Sequence, residues 1–296
     1  MNAKHGCLYK TGIVFVILAG IIAFMAVEVY ISYNSLKTTE YTVRSDKISE
    51  TVTICLLADL HDHRFGEKNK ELVSRVRTCQ PDLILLAGDF INKESADTSV
   101  PAELIPQLTE IAPVYFSLGN QEKDYMAAGT SDLIDELTGA GAGVLEEEYI
   151  NLTVEGNKIC LAGMYEYAFA QDGRGHMDKA GMPADRRQFL EDFQKQDGFK
   201  IMMAHRPDSF IFGDAADTWN IDLVLSGHLH GGQVVLPFLG GLYAGDQGFF
   251  PEYDYGVFHF EAVKTMIISS GLGSDREKLP RFNNRPEVAL ITLERE

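Results

Sequence analysis

Aspartate, asparagine and histidine recur in this chain where apolar runs stop. The run Thr51–Ala58 leads into Asp59-Leu60-His61, and Asp82–Ala87 leads into Gly88-Asp89. Val114–Leu118 leads into Gly119-Asn120-Gln121-Glu122, and Lys200–Ala204 stops at His205. The run ending at Ser226 is followed by Gly227-His228-Leu229-His230-Gly231-Gly232. Oxygen and imidazole donors without cysteine suit borderline or hard divalent ions such as Mn, Fe or Zn. On extended backbone His228 and His230 face opposite sides and can serve different ions, whereas a turn can aim Asp59 and His61 at one. A carboxylate such as Asp89 can bridge two metals. Two cations about 4 Å apart can hold a bridging hydroxide and neutralise a phosphoryl group during in-line displacement. Singly, each of these residues reads as an ordinary cap or turn residue. Five in order, at five strand ends, point to a metal site.

The elements that must position them follow from hydrophobic pattern. Thr51–Ala58, Asp82–Ala87 and Val114–Leu118 are short apolar runs of the kind that form buried strands. Helical segments are predicted over Lys68–Cys79, Ala102–Ile111 and Ser131–Gly139, so this half reads as parallel βαβ units. Further strands are predicted over Val144–Val154, Lys158–Ala162, Lys200–Ala204, Leu223–Leu225, Val257–Glu261, Thr265–Ser269 and Val288–Leu293, with one clear helix over Pro183–Gln194. Two sheets packed face to face with helices outside accommodate both halves. In parallel sheets the carboxyl ends of the strands form one rim where ligand sites collect.

The chain has 296 residues, 45% hydrophobic and 23% charged, which is globular composition. Its 26 Lys+Arg stand against 43 Asp+Glu, a net charge of −17, which excludes non-specific nucleic-acid binding and requires a local positive centre for any anionic substrate. Four scattered cysteines imply no disulfide framework; Cys55 and Cys160 fall in predicted strands as small core residues. From Ile13 to Val27 every residue is apolar or Gly. Thr11–Tyr33 is long enough to cross a hydrocarbon core, and Lys4 and Lys10 precede it with no acidic residue, so the N-terminus is expected in the cytoplasm. Phe24-Met25-Ala26 is a poor signal-cleavage site, which favours an uncleaved anchor over an exported signal. Cys7 falls on the cytoplasmic side. The expected organisation is residues 1–10 cytoplasmic, 11–33 transmembrane, 34–49 a linker leading into the domain, and 50–296 one domain outside the cytoplasm.

With these motifs in view, the sequence resembles the calcineurin-like metallophosphoesterase superfamily, whose pattern is D-x-H, G-D, G-N-H-[DE], H and G-H-x-H. The stretches G-H-L-H-G-G-Q, S-S-G-L-G and R-F-N-N-R-P-E resemble one branch, the membrane-associated or exported bacterial phosphoesterases. The resemblance covers about residues 50–296. It implies a two-sheet β-sandwich flanked by helices, αββα, with a dinuclear site that hydrolyses phosphomonoesters or phosphodiesters. By position, Asp59, His61 and His230 would hold one ion, Asn120, His205 and His228 the other, and Asp89 would bridge. Gln121 stands where the family has a His that contacts phosphate and can protonate the leaving oxygen. An amide donates hydrogen bonds but no titratable proton, and general acid help is worth about 10²–10⁴-fold. Metal binding is expected to survive, and turnover of poor leaving groups to suffer. His63 is a candidate substitute, and Arg281 and Arg206 are candidates for steadying an anion.

The leading reading is a membrane-anchored phosphoesterase acting on a small phosphoester or a lipid-linked phosphodiester. The lipid possibility comes from Phe238, Leu239, Tyr243, Phe249, Phe250, Tyr253 and Tyr255, which follow the last motif among glycines. The competing reading is a metal-binding or regulatory module with weak catalysis, supported by Gln121. A metallo-β-lactamase type of site, prompted by His61-Asp62-His63, fails because Arg64 and Phe65 follow where an Asp-His pair is needed.

Overall fold

In the computed structural model, residues 2–129, 132–171, 177–178, 180–274 and 279–296 are described. Twelve main strands are β1 Lys37–Ser45, β2 Val52–Leu57, β3 Leu83–Leu86, β4 Val114–Ser117, β5 Gly143–Leu145, β6 Glu148–Val154, β7 Asn157–Met164, β8 Phe199–Ala204, β9 Ile221–Ser226, β10 Gly256–Phe258, β11 Val263–Ile268 and β12 Glu287–Arg295. The main helices are α1 Asn2–Asn34, α2 Lys70–Cys79, α3 Ser99–Thr109, α4 Asn120–Ala127, α5 Leu133–Gly139 and α6 Ala184–Phe193. The side chains of Lys4, Cys7 and Lys10, and the predicted helix start at Ser131, lie outside the described residues.

The strands form two six-stranded sheets, ordered β1-β12-β2-β3-β4-β5 and β10-β11-β9-β8-β7-β6. In the first, β2, β3, β4 and β5 run parallel; in the second, β7, β8, β9 and β11 do. Strands buried on both faces need apolar side chains throughout, and Leu83-Ile84-Leu85-Leu86 supplies them. One face of each sheet meets the other sheet through Ile54, Leu56, Leu85, Ile201, Met203, Leu225 and Ile291. The outer face of the first sheet packs under α2, α3 and α5 through Leu72, Val76, Leu104, Leu108 and Leu137. The outer face of the second packs under α6 through Leu190, Phe193 and Trp219. This is the expected two-sheet sandwich between helical layers.

Two boundaries differ from expectation. Within residues 34–49, expected as a linker and entry to the domain, Lys37–Ser45 is already a full edge strand, parallel to β12 over nine paired residues. Its alternation of polar residues with Tyr41 and Val43 suits an edge with one covered face, and the polar members hide that pattern. Val144–Val154 is not one strand. It divides into β5 and β6, which belong to different sheets, so the chain passes between the layers there. 

The apolar part of α1 is a 23-residue stretch, Gly12–Asn34, none of it buried in its most apolar window. Its last turn is docked. Ser32 Oγ accepts from Asn284 N–H at 3.2 Å, and Tyr33 Oη accepts from Arg281 N–H at 3.2 Å.

Candidate metal centre

The carboxyl ends of β2, β3, β4, β8 and β9 deliver their side chains to one rim. Asp59, His61 and His230 form one group of donors and Asp89, His205 and His228 another, each within 4.8 Å internally. The two groups are joined through one oxygen. Asp89 Oδ2 lies 3.2 Å from His205 Nε2 and 3.7 Å from His61 Nε2. Asn120 Oδ1 lies 3.2 Å from His205 Nε2, beside the second group. All seven residues read from the strand ends therefore meet.

Local backbone explains the convergence. Asp59, His61, Asp89, His228 and His230 all have φ between 48° and 71°, a region that costs a non-glycine residue about 1–3 kcal/mol. The strands end in tight left-handed turns that return each side chain over the rim. Gly88 and Gly119 let two of these turns touch: a Cβ on Gly88 would sit 2.5 Å from Gly119 N, and one on Gly119 would overlap the Asp89 carboxylate.

A buried carboxylate ties the loops together. Glu122 Oε2 accepts from Asp89 N–H and Gly119 N–H, both at 2.8 Å, and Oε1 accepts from Phe90 N–H at 2.7 Å. Gln121 N–H in turn donates to Asp89 Oδ1 at 2.9 Å, and His228 N–H donates to Asp59 Oδ1 at 2.9 Å.

Acceptors around the rings set their tautomers. The Ala87 carbonyl, 2.7 Å from His205 Nδ1, makes that nitrogen the N–H and leaves Nε2 with its lone pair. Asp246 Oδ2, 2.9 Å from His228 Nε2, leaves the lone pair on His228 Nδ1. These two lone-pair nitrogens face each other across 3.2 Å, with Asn120 Oδ1 and Asp89 Oδ2 beside them. Four acceptors converging on one point ask for a cation. In the first group, Asn92 Oδ1 lies 2.8 Å from His61 Nδ1, and the buried His61 Nε2 and His230 Nδ1 have no hydrogen-bond partner. This donor chemistry fits a divalent metal at each group.

The ionisation of the cluster follows from burial and mutual charge. Burial pushes the His205 pKa down, but the charge of Asp89 and the hydrogen bond to it prevail and raise it to about 9, so without a cation a proton sits on Nε2 and a bound metal would take that proton's place. Burial pushes the Asp89 carboxyl up, and His205 together with His61 and His228 more than offsets this, holding it below the usual carboxylate range. Burial and the neighbouring His61 drive His230 well below its usual value, which keeps it neutral and able to coordinate.

Beside the cluster is a cavity of about 210 Å³, lined by His61, Asn120, Gln121, His230, Tyr243 and Leu279 among others. Gln121 faces it as expected. Its Oε1 accepts from Lys93 N–H at 2.8 Å, which leaves the amide NH₂ as the end able to donate to a phosphoryl oxygen. Arg281 does not face it, correcting the expectation of a substrate-binding role. It is fully buried, and its guanidinium donates to the main-chain carbonyls of Ser270 and Gly273 at 2.8 and 2.9 Å and of Asn284 at 3.1 Å. The arginine supplies donors to loop carbonyls around the rim. His63 packs on Phe65, ring centroids 4.6 Å apart, and is not among the residues lining the cavity. Arg206 pairs with Asp246 at 3.2 Å and lies over Tyr165 and Tyr167. Of the aromatics after the last motif only Tyr243 lines the cavity, while Tyr253 packs on Phe258 and Phe260.

A family model described as calcineurin-like phosphoesterase matches residues 52–232, the stretch that carries all seven donors of the two groups together with Asn92, Gln121 and Glu122. The chain belongs to the calcineurin-like phosphoesterase family. It is 28% identical over 273 residues to the metallophosphoesterase YkuE of Bacillus subtilis, covering 89% of this chain and 87% of that one. It is 27% identical to the phosphodiesterase YaeI of Escherichia coli over 244 residues, 81% of each chain. The metallophosphoesterase F40B5.2 of Caenorhabditis elegans is 30% identical over 253 residues, 80% of this chain and 49% of that one, so this chain spans about half of that relative. A calcineurin-like phosphoesterase is a metal-dependent hydrolase of phosphoesters, and the two donor groups suit that activity.

Three residues of the centre escaped the sequence reading. Glu122 was in a quoted motif with no role attached. Asn92 sits three residues past Asp89 with nothing to mark it. Asp246 lies in a glycine-rich loop eighteen residues beyond His228, and only folding brings it back.

Proposed function

We propose that this protein is a phosphodiesterase with a dinuclear centre, held on the membrane by α1 with its domain outside the cytoplasm. The observation that carries the dinuclear reading is the shared Asp89 Oδ2, placed between His205 Nε2 and His61 Nε2. Asp59, His61 and His230 would hold one ion and Asn120, His205 and His228 the other, with Asp89 between them. When bound, two divalent ions supply an activated water and a positive focus for the phosphoryl oxygens. Asp246 and Asn92 fix the His228 and His61 tautomers, and Ala87 fixes that of His205. Gln121 orients the substrate through its amide NH₂ and protonates nothing. The leaving oxygen must therefore depart as a stable anion or take its proton from water, which favours diesters with good leaving groups. The substrate is a small phosphoester or a lipid-linked phosphodiester, and the identity of YaeI as a phosphodiesterase supports the diester.

The purified full-length chain should carry two metal equivalents by elemental analysis and hydrolyse an activated aryl phosphodiester. Chelation should abolish the rate and Mn restore it. Asp89→Asn should lose both metal and rate. Protein that stays metal-free whatever ion is offered, or a rate indifferent to chelation, would overturn the reading. The engaged Gln121 carbonyl favours one second reading, a metal-binding module with weak catalysis. Full metal content with no turnover would establish it.

A further inference from the structure

We infer that the two hairpins between Gly231 and Pro251 form a second membrane contact, which sets the mouth of the metal cavity at the lipid surface. The inference rests on the reading of α1 as a membrane span. Phe24 lies inside the apolar stretch Gly12–Asn34, yet its ring already meets Phe282 of the domain, centroids 6.4 Å apart. At 1.5 Å rise per residue, roughly 15 Å of helix separates Phe24 from Asn34. The part of the domain around Phe282 therefore sits within the depth that α1 spans.

The hairpins are tied to that point. Val235 N–H donates to the Phe282 carbonyl at 3.0 Å, and Phe282 N–H donates to the Gln233 carbonyl at 3.2 Å. Val235–Leu236 pairs antiparallel with Gly240–Gly241, so Phe238 and Leu239 form the tip. The next hairpin pairs Tyr243–Ala244 with Gly248–Phe249 and continues into Phe250. Phe238 is fully exposed, and Leu239, Phe249 and Phe250 are 64%, 71% and 54% exposed. Gly231–Pro251 contains one charged residue, Asp246, in a chain that is 23% charged, and Asp246 turns inward to His228. Helix and hairpin also share a wall: Glu28, Ile31, Val235, Gly240 and Gly241 line one cavity of about 470 Å³.

An uncharged double tip of large exposed apolar residues, on the part of the domain that Phe24 touches, matches a lipid surface. Contacts of this kind bury about 5–10 Å into the headgroup and acyl boundary. Tyr243 links the contact to the chemistry, since its ring meets Phe249 at 5.2 Å and also lines the metal cavity. The phosphoester reaching that cavity is then one presented at headgroup level by a lipid.

The test uses the full chain in phosphatidylcholine vesicles containing brominated lipid, with Phe238→Trp, Phe249→Trp and Phe15→Trp variants. The single native Trp219 is fully buried and gives a constant background. Quenching of all three new tryptophans by lipid brominated near the glycerol end supports the inference. Quenching of Phe15→Trp alone overturns it and leaves the anchor standing. No quenching of Phe15→Trp removes the anchor and the inference together. Shielding of Phe238→Trp that instead tracks a dimeric mass in detergent gives the face to a second copy and also overturns it.

Discussion

At the scale of single residues, Gln121 decides how the centre can work. Its backbone N–H holds Asp89 and its Oε1 holds the backbone of Lys93, so the residue positions loops besides facing the cavity. Gln121→His should restore a titratable proton near the leaving oxygen. The expected outcome is a rise of up to about 10²-fold on a poor leaving group, with metal content unchanged and little change for an activated aryl ester. An equal effect on both substrates would contradict the role given to the leaving group. Glu122 acts through others. Its carboxylate receives four backbone N–H groups, from Asp89, Phe90, Ile91 and Gly119 in two loops, and is buried. Glu122→Gln removes the charge and one acceptor, and a loss of about 1–3 kcal/mol in denaturant unfolding is expected.

At the scale of elements, the segments around the rim depend on side chains that the strand pattern does not reveal. Arg281 makes the 270–273 loop and the 284–285 turn one unit, and that unit receives the end of α1 at Ser32 and Tyr33. Arg281→Lys keeps the charge but removes the fork. It should lower the melting temperature and leave KM unchanged, whereas a substrate-binding arginine would give the reverse. Asp208, at the turn after β8, is pushed up to about 6 by burial and by Asp246. Its folded value lies above the unfolded one, so the group begins to cost stability as pH rises through about 4 and the full cost is present above about 6. Asp208→Asn should therefore raise stability at pH 8, by about 3 kcal/mol at most and with it the melting temperature, and the gain should vanish below pH 4. A gain independent of pH would place its cause elsewhere.

At the scale of the whole molecule, a chain of net charge −17 brings four of its eight histidines, His61, His205, His228 and His230, to one rim. With a metal at each donor group, that rim becomes the positive focus that composition requires. The order of the five motifs was legible because each follows an apolar run, and strand ends in a parallel sheet share one edge. The sandwich was legible for the same reason, since the apolar runs Asp82–Ala87 and Lys200–Ala204 read as strands, and Leu83–Leu86 and Phe199–Ala204 form them, buried along their length. β1 was not. Its polar members resemble a linker until β12 supplies a partner through residues 287–295, some 250 positions away.

Sequence by itself determined which side chains carry the chemistry and that they follow one another at strand ends. Donor type is a property of the residue, and an apolar run declares its strand locally. Only tertiary structure decided which oxygen stands between the two groups, that Asp246 and Asn92 aim the imidazoles, and that Arg281 serves the backbone. Those facts depend on separations of a few ångströms between residues far apart in the chain, which turns with positive φ and the packing of two sheets set together.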